Sequence, residues 1–335
     1  MRGVPHPDFR HNNSLFCPQV DSALPLPSAG SPFRLSYISL ILCIMIKPVL
    51  LWLRIIRPQT LFASLVPVLV SVLIVSRCGI PVDGITASVT ACCALSLQIL
   101  SNLINDYYDF LRGTDKAGRA GYKRALAEGE VSERAMRSAC VLAALVSCLL
   151  GFWLVLTGGW VILLIGLSAL LFAWLYTATR FSLSYLGIAD IFVFLYYGVV
   201  ASCGTAYLLL TAISYAADPS PVLRGAFFAG GVCGFISMCV LSINNLRDID
   251  SDREVGKKTL PVRFGKRAAE VLMLLYVLLM PLFSYIAFGV TFSMLIVAPA
   301  LFMWLRTMRA RGAEYNKCLL MAGLCNAVYF VLSVL

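Results

Sequence analysis

The chain has 335 residues, of which 60% are hydrophobic and only 13% charged, with a formal net charge of +10. Soluble domains carry roughly 25% charged residues, so a string of soluble domains is excluded. The two histidines, His6 and His11, stand near the N-terminus, which excludes histidine bases, Ser/His/Asp triads and His-ligated zinc from the rest of the chain.

Residues 1–44 open with "MRGVPHPDFRHNNSLFCPQVDSALPLPSAGSPF", polar and rich in Pro and Ser, and turn apolar at "SYISLILCIM". A secretory signal would place its apolar core directly after a basic start, and here a long polar stretch intervenes. Two readings stay open: a disordered tail, or translation from Met45, which would begin "MIKPVLLWLRIIRPQTL". Residues 45–335 read as one all-α polytopic membrane domain. Apolar runs long enough to span a bilayer, about 17–25 residues each, fall at residues 60–77, 85–105, 135–157, 160–176, 186–210, 225–243, 268–288, 290–306 and 317–335. The spacing predicts a nine-transmembrane-helix bundle. Very short turns at Gly158-Gly159 and at Gly289 make helices 3–4 and 7–8 antiparallel hairpins, and "TAISYAADPSPVLR" is a loop between helices 5 and 6. The cysteines show no CxxC pair and mostly fall in these runs, where they read as small apolar fillers.

Charge follows the same frame. Lys and Arg collect in the short loops on the cytoplasmic side of a membrane protein. Residues 111–137 hold seven of them and residues 246–267 another seven, whereas Arg77 and Arg224 alone fall on the opposite side. This places the start of helix 1 and the basic loops inside and the C-terminus outside a cytoplasmic (inner) membrane. The net charge therefore calls for anionic lipid or an anionic substrate, not nucleic acid.

Two acidic clusters interrupt the pattern where helices 2 and 6 leave the hydrocarbon: "NLINDYYDF" and "NNLRDIDSD". Offsets of 3, 4, 7 and 8 share one face of a helix. Asn102, Asp106 and Asp109 fall at 0, +4 and +7; Asn244, Asp248 and Asp252 fall at 0, +4 and +8. Each ladder precedes a basic loop, so the pair reads as an approximate duplication. Four converging carboxylates repel one another and take up protons unless a cation sits among them. Oxygen-only ligands select a hard divalent ion such as Mg²⁺, with coordination positions left for substrate phosphates, and neighbouring Lys and Arg would hold the remaining phosphate charge. The bland reading is a pair of solvated helix ends. Elsewhere, Asp190 in "YLGIADIFVF" is either a satisfied structural acid or a site residue. Tyr107 and Tyr108 face a cation or sit in the interfacial aromatic belt, and Asn326 reads as an interhelical hydrogen bond.

The two motifs, as "NLINDYYDFLRGTD" and "NNLRDIDSDREVGKKTLPVRFG", resemble those of the UbiA superfamily of intramembrane prenyltransferases, and the resemblance runs from about Arg54 to the C-terminus. The stretches "LRIIRPQTLFASLVPVLV" and "YLGIADIFVFLYYGVVASCGTAYL" are similar to the menaquinone-pathway branch, whose acceptor is 1,4-dihydroxy-2-naphthoate. The resemblance implies a nine-helix bundle with a lateral lipid opening, and Mg²⁺, or Mn²⁺ in its place, bound with a polyprenyl diphosphate. It implies metal ligation by Asn102, Asp106, Asp109, Asn244, Asp248 and Asp252, with Asp109 one residue early against the family spacing and Asp115 a further ligand candidate. Diphosphate contacts fall to Lys116, Lys123, Arg124, Tyr176, Arg180, Arg247 and Lys257, although Arg180 stands where the family has Lys. The implied reaction joins the prenyl group to the ring with loss of CO₂ and diphosphate, and Asp190 is the candidate catalytic residue that orients or deprotonates the acceptor. Another aromatic acceptor such as 4-hydroxybenzoate stays open. An ion-coupled transporter is the rival from another class, although it places its acids near the midplane and both ladders here lie at one face.

Overall fold

The computed structural model describes residues 46–111, 124–177 and 189–335, without the side chains of residues 173, 174, 176 and 177. The chain divides into two units, Met1–Leu50 and Leu51–Leu335. Of the first, residues 46–50 are described, helical and exposed.

The second unit is helical, with no strand among the described residues. Its long helices are α1 (Pro58–Arg77), α2 (Gly84–Leu111), α3 (133–158), α4 (160–177), α5 (Ala189–Ala212), α6 (Ser220–Arg247), α7 (Lys266–Phe288), α8 (Phe292–Arg309) and α9 (Glu314–Val334). They match the predicted runs to within a few residues, because hydrocarbon thickness and helical rise dictate the length. The largest departure is α2, which continues to Leu111 and so carries the whole first ladder. By length and composition eight helices are able to cross a membrane, where nine were expected. The difference lies in Glu133–Phe172, 40 residues long and twice what a bilayer needs. Gly159, at φ 65° and ψ −151°, breaks that helix into α3 and α4. Such a backbone is open to glycine and strained for other residues.

α6 is the axis of the bundle: 83% of its most apolar window is buried inside the protein, against 11% for Glu133–Phe172. It packs on α1, α5, α7 and α9. Close approach comes from small residues, most sharply where Gly198 of α5 meets α6. A Cβ on Gly198 would lie 2.8 Å from the Gly230 carbonyl oxygen and 2.9 Å from Gly234 Cα, both backbone atoms that cannot yield. The surrounding core includes Val70, Leu209, Ile236, Met273 and Ile296. Outer leucines such as Leu149 and Leu156 remain exposed, as lipid-facing positions should.

One sequence expectation does not hold. Asn326 is fully buried in α9, yet neither atom of its carboxamide makes a hydrogen bond among the described residues. The interhelical bond expected of it is therefore not made.

Candidate functional site

Past α6 the chain does not simply leave the bundle. Asp248 departs from helical geometry (φ −100°, ψ 12°), and a short helix, Ile249–Glu254, follows at once. Hydrogen bonds nevertheless continue at helical spacing, from Asp248 N–H to the Asn244 carbonyl at 3.1 Å and from Asp252 N–H to the Asp248 carbonyl at 2.8 Å. The second ladder therefore keeps one face across a break. The first rides on continuous helix.

Both ladders meet a cavity of about 810 Å³. Asn102 and Asp109 line it from α2, and Asn244, Asp248 and Asp252 from the end of α6 and beyond. Arg57, Arg124, Arg247 and Lys257 line the same basic end. Toward the bundle interior the wall becomes aliphatic and aromatic, with Leu97, Leu154, Ile162, Phe172, Phe192 and Tyr196. The Phe172 ring centroid lies 4.6 Å from that of Phe192 and 4.4 Å from that of Tyr196, the planes tilted at 37° and 51°, so the three rings form one aromatic cluster.

Asp106 points elsewhere. It lines a neighbouring pocket of about 130 Å³ together with Arg54, Arg57 and Arg124. On a 3.6-residue helix, Asn105 and Asp109 flank the direction of Asn102 on one side while Asp106 lies on the other. Asn105 accordingly lines the large cavity, a role the spacing argument missed.

Every acid of the ladders has a basic neighbour. Arg57 and Arg124 both pair with Asp106, and Arg124 also reaches Asp109 at 3.6 Å. Arg247 grips Asp248 with two parallel bonds, Nε to Oδ1 at 2.9 Å and a terminal nitrogen to Oδ2 at 2.8 Å, and donates to Asn316 at 3.0 Å. Lys257 stands 3.6 Å from Asp252. Among the described residues no three acidic, cysteine or histidine side chains gather closely enough to hold one ion. The repulsion anticipated from sequence is relieved by these ion pairs, and the ladders form two separate half-sites. Asn102 is committed as well: its Nδ2 donates to the Ile56 carbonyl at 2.7 Å and Thr60 at 2.9 Å, tying α2 to the start of α1, while Gln98 donates to its Oδ1 at 3.2 Å.

No motif in the sequence singles out Arg57. It adopts a left-handed backbone, φ 57°, at the N-cap of α1, a conformation uncommon outside glycine. This turns its guanidinium into both pockets. The Arg57-Pro58 step marks the helix start, since proline favours the first helical position, but it carries no signal for the left-handed turn.

The remaining predicted residues divide. Lys116, Lys123, Arg180 and Asp115 lie outside the described residues, as does the Tyr176 side chain. Asp190 is buried in the first turn of α5, 7% exposed, with one carboxylate oxygen lacking any hydrogen-bond partner. Its electrostatic neighbours are Cys239 of α6 and Tyr276 of α7, and it is not among the residues lining the cavity. Tyr107 donates to Glu133 at 3.1 Å across to α3, and neither it nor Tyr108 lines the cavity.

Comparison with known proteins gives this geometry a family. A stretch of 221 residues is 34% identical to 1,4-dihydroxy-2-naphthoate octaprenyltransferase of Escherichia coli (strain K12), covering 64% of this chain and 68% of that protein. The protein of the same name from Haemophilus influenzae is 32% identical over 192 residues, 55% of this chain and 59% of that one. In shape the bundle is similar to a UbiA homolog from Archaeoglobus fulgidus bound to GPP and Mg²⁺ (TM-score 0.58, 20% identity, covering 85% of this chain and 98% of that one). It is also similar to the apo UbiA homolog from Aeropyrum pernix K1 (TM-score 0.62, 17% identity, covering 83% and 99%). Residues 64–328 match the UbiA prenyltransferase family. Because that match begins in α1 and ends in α9, the chain belongs to the UbiA prenyltransferase family.

Proposed function

We propose that this protein transfers a polyprenyl group from polyprenyl diphosphate to 1,4-dihydroxy-2-naphthoate, releasing CO₂ and diphosphate and giving demethylmenaquinol. The observation that carries the reading is a single cavity with a carboxylate, amide and guanidinium rim at one end and an apolar, aromatic wall behind it. Such a cavity suits a substrate that is anionic at its head and hydrocarbon along its tail. The relatives named for naphthoate prenylation favour this acceptor over 4-hydroxybenzoate.

The donor set fits Mg²⁺, which binds through one or two carboxylates and completes its shell with substrate phosphates and water. Asp109 and Asn102 would hold one ion, with Asp106 behind them, and Asn244, Asp248 and Asp252 another; Mn²⁺ has the same ligand taste. When bound, the ions supply positive charge that stabilises the departing diphosphate. The chain's own residues do the rest. Arg57, Arg124, Arg247 and Lys257 are placed to exchange a carboxylate for a phosphate oxygen, and Arg247 already holds the two-pronged geometry that phosphate recognition uses. Lys116, Lys123, Tyr176 and Arg180 are proposed to complete the diphosphate shell.

As the carbon–oxygen bond to diphosphate breaks, positive charge develops on the allylic carbon. The faces of Phe172, Phe192 and Tyr196 offer it an attractive quadrupole, and the aliphatic wall excludes the water that would convert it to an alcohol. The electron-rich ring then forms the carbon–carbon bond and loses its carboxyl group as CO₂. Asp190 does not line the cavity among the described residues; a part in orienting or deprotonating the acceptor is proposed for it only through neighbours that do.

We further propose that the basic end faces the cytoplasm and the C-terminus the opposite side of a cytoplasmic membrane. The experiment for the reaction is direct: membranes containing the protein are incubated with dihydroxynaphthoate and a prenyl diphosphate, and the product is weighed by mass spectrometry. A product lighter by CO₂ than simple addition supports the reading. Prenylation of 4-hydroxybenzoate with dihydroxynaphthoate ignored would reject the acceptor, and vesicle transport without diphosphate release would reject the enzyme.

A further inference from the structure

α5 changes register in mid-course. Residues Leu195–Val200 form a π-helical segment between two α-helical ones, a rare conformation that concentrates at functional sites. Two consecutive residues of this segment, Tyr196 and Tyr197, line the cavity wall. The next residue is Gly198, whose missing side chain lets the segment sit against the α6 backbone. The π turn is thus held from behind while it presents two rings in front.

The Tyr197 hydroxyl is set against Gln98 and Ser101 of α2. Gln98 accepts a hydrogen bond from Ser64 of α1 at 2.9 Å and donates one to Asn102 at 3.2 Å. Ser64 and Gln98 are each 6% exposed, and all four residues line the cavity. A carboxamide has two N–H donors and two acceptor positions, and the bonds to Ser64 and Asn102 take one of each. Gln98 precedes Asn102 by one helical turn, about 6 Å along the axis. The patch is neutral, polar and one turn inward of the first ladder.

We infer that Tyr197, Gln98, Ser101 and Ser64 bind the hydroxyl groups of the aromatic acceptor. This inference rests on the proposed function and adds to it the acceptor's seat. A polyprenyl tail has no group for such a patch to engage, and the diphosphate belongs with the arginines at the rim. A dihydroxylated ring needs what is here: neutral donors and acceptors at its edge, with the Tyr196 and Phe192 rings beside them for its faces. One turn inward of the ladder is also where the first carbon of a chain anchored by its diphosphate begins, so a ring held by its hydroxyls there meets that carbon.

The test compares Tyr197→Phe and Gln98→Met with the wild-type full chain in membranes, measuring KM for dihydroxynaphthoate, KM for the prenyl diphosphate and kcat separately. The acceptor KM is expected to rise about three- to ten-fold for each hydrogen bond lost, with the donor KM unchanged. Gln98 also supports Asn102, so Tyr197→Phe, which keeps the ring and removes only the hydroxyl, is the deciding variant. With a naphthoate lacking one hydroxyl, the gap between wild type and Tyr197→Phe should close. An unchanged acceptor KM in Tyr197→Phe, or both KM values rising together, would overturn the inference and leave the prenyltransferase reading standing. A wild-type protein that ignores dihydroxynaphthoate would instead overturn the proposed acceptor, and this seat with it.

Discussion

The two acid ladders look like copies in sequence and differ in their setting. The first lies on unbroken α-helix at the end of α2, and its middle acid, Asp106, turns from the large cavity into a pocket shared with Arg57 and Arg124. The second straddles the end of α6, and the break at Asp248 keeps all three of its members on the large cavity. The partners differ too. Asp106 answers to guanidinium groups from other parts of the chain, whereas Asp248 is gripped by its own neighbour Arg247. A repeated pattern thus specifies the kind of chemistry at each helix end. The packing around that end decides which acid faces the large cavity.

Several experiments bear on that difference. The largest effect should come from chelation: EDTA is expected to abolish turnover and Mg²⁺ to restore it, since both half-sites present only oxygen ligands. Full activity in chelator would make both ladders structural. Next, Asp248→Asn is expected to lower kcat by at least about 10²-fold, taking one charged transition-state contact as roughly 2.7–4 kcal/mol. A wild-type rate would remove the second ladder from the chemistry. Asp106→Asn sharpens the contrast, because it removes the carboxylate that Arg57 and Arg124, 21% and 19% exposed, share. Its thermal midpoint in detergent should fall by the equivalent of roughly 2–3 kcal/mol, on top of a loss in rate; an unmoved midpoint would mean that the pairs contribute nothing to the fold. The smallest effect is expected from conservative changes of the basic residues. Arg247→Lys should raise the donor KM about ten-fold through loss of the fork, while Lys257→Arg, which starts from a single point charge, should stay within about three-fold. Equal effects would show that the two cations play the same part.

Much of this was legible in the chain. Helix positions follow from apolar runs, and Gly158-Gly159 marked the hairpin that breaks Glu133–Phe172 into two. The two Asn/Asp ladders were visible as clusters of oxygen donors because residue type and helical spacing are local properties. What failed to show was non-local. Asn105 lines the cavity and Asp106 does not because of how α2 is rotated, an orientation in which Asn102 bonds Ile56, just before α1, and Thr60 within it. Arg57 enters the site through a left-handed backbone that no local pattern specifies, since a residue before proline favours the extended region.

Sequence alone determined the class of molecule, a helical membrane bundle with two acidic helix ends on a basic face, since bilayer thickness, helical period and charge placement act along a single segment. Tertiary structure decided the rest. It set which acids face the cavity, it left Asp190 out of the cavity lining, and it seated the π-helical turn that carries Tyr196 and Tyr197 against Gly230 and Gly234. The reason is physical: a side chain's direction depends on the rotation of its helix, and that rotation is settled by the close packing of neighbours far away in the chain.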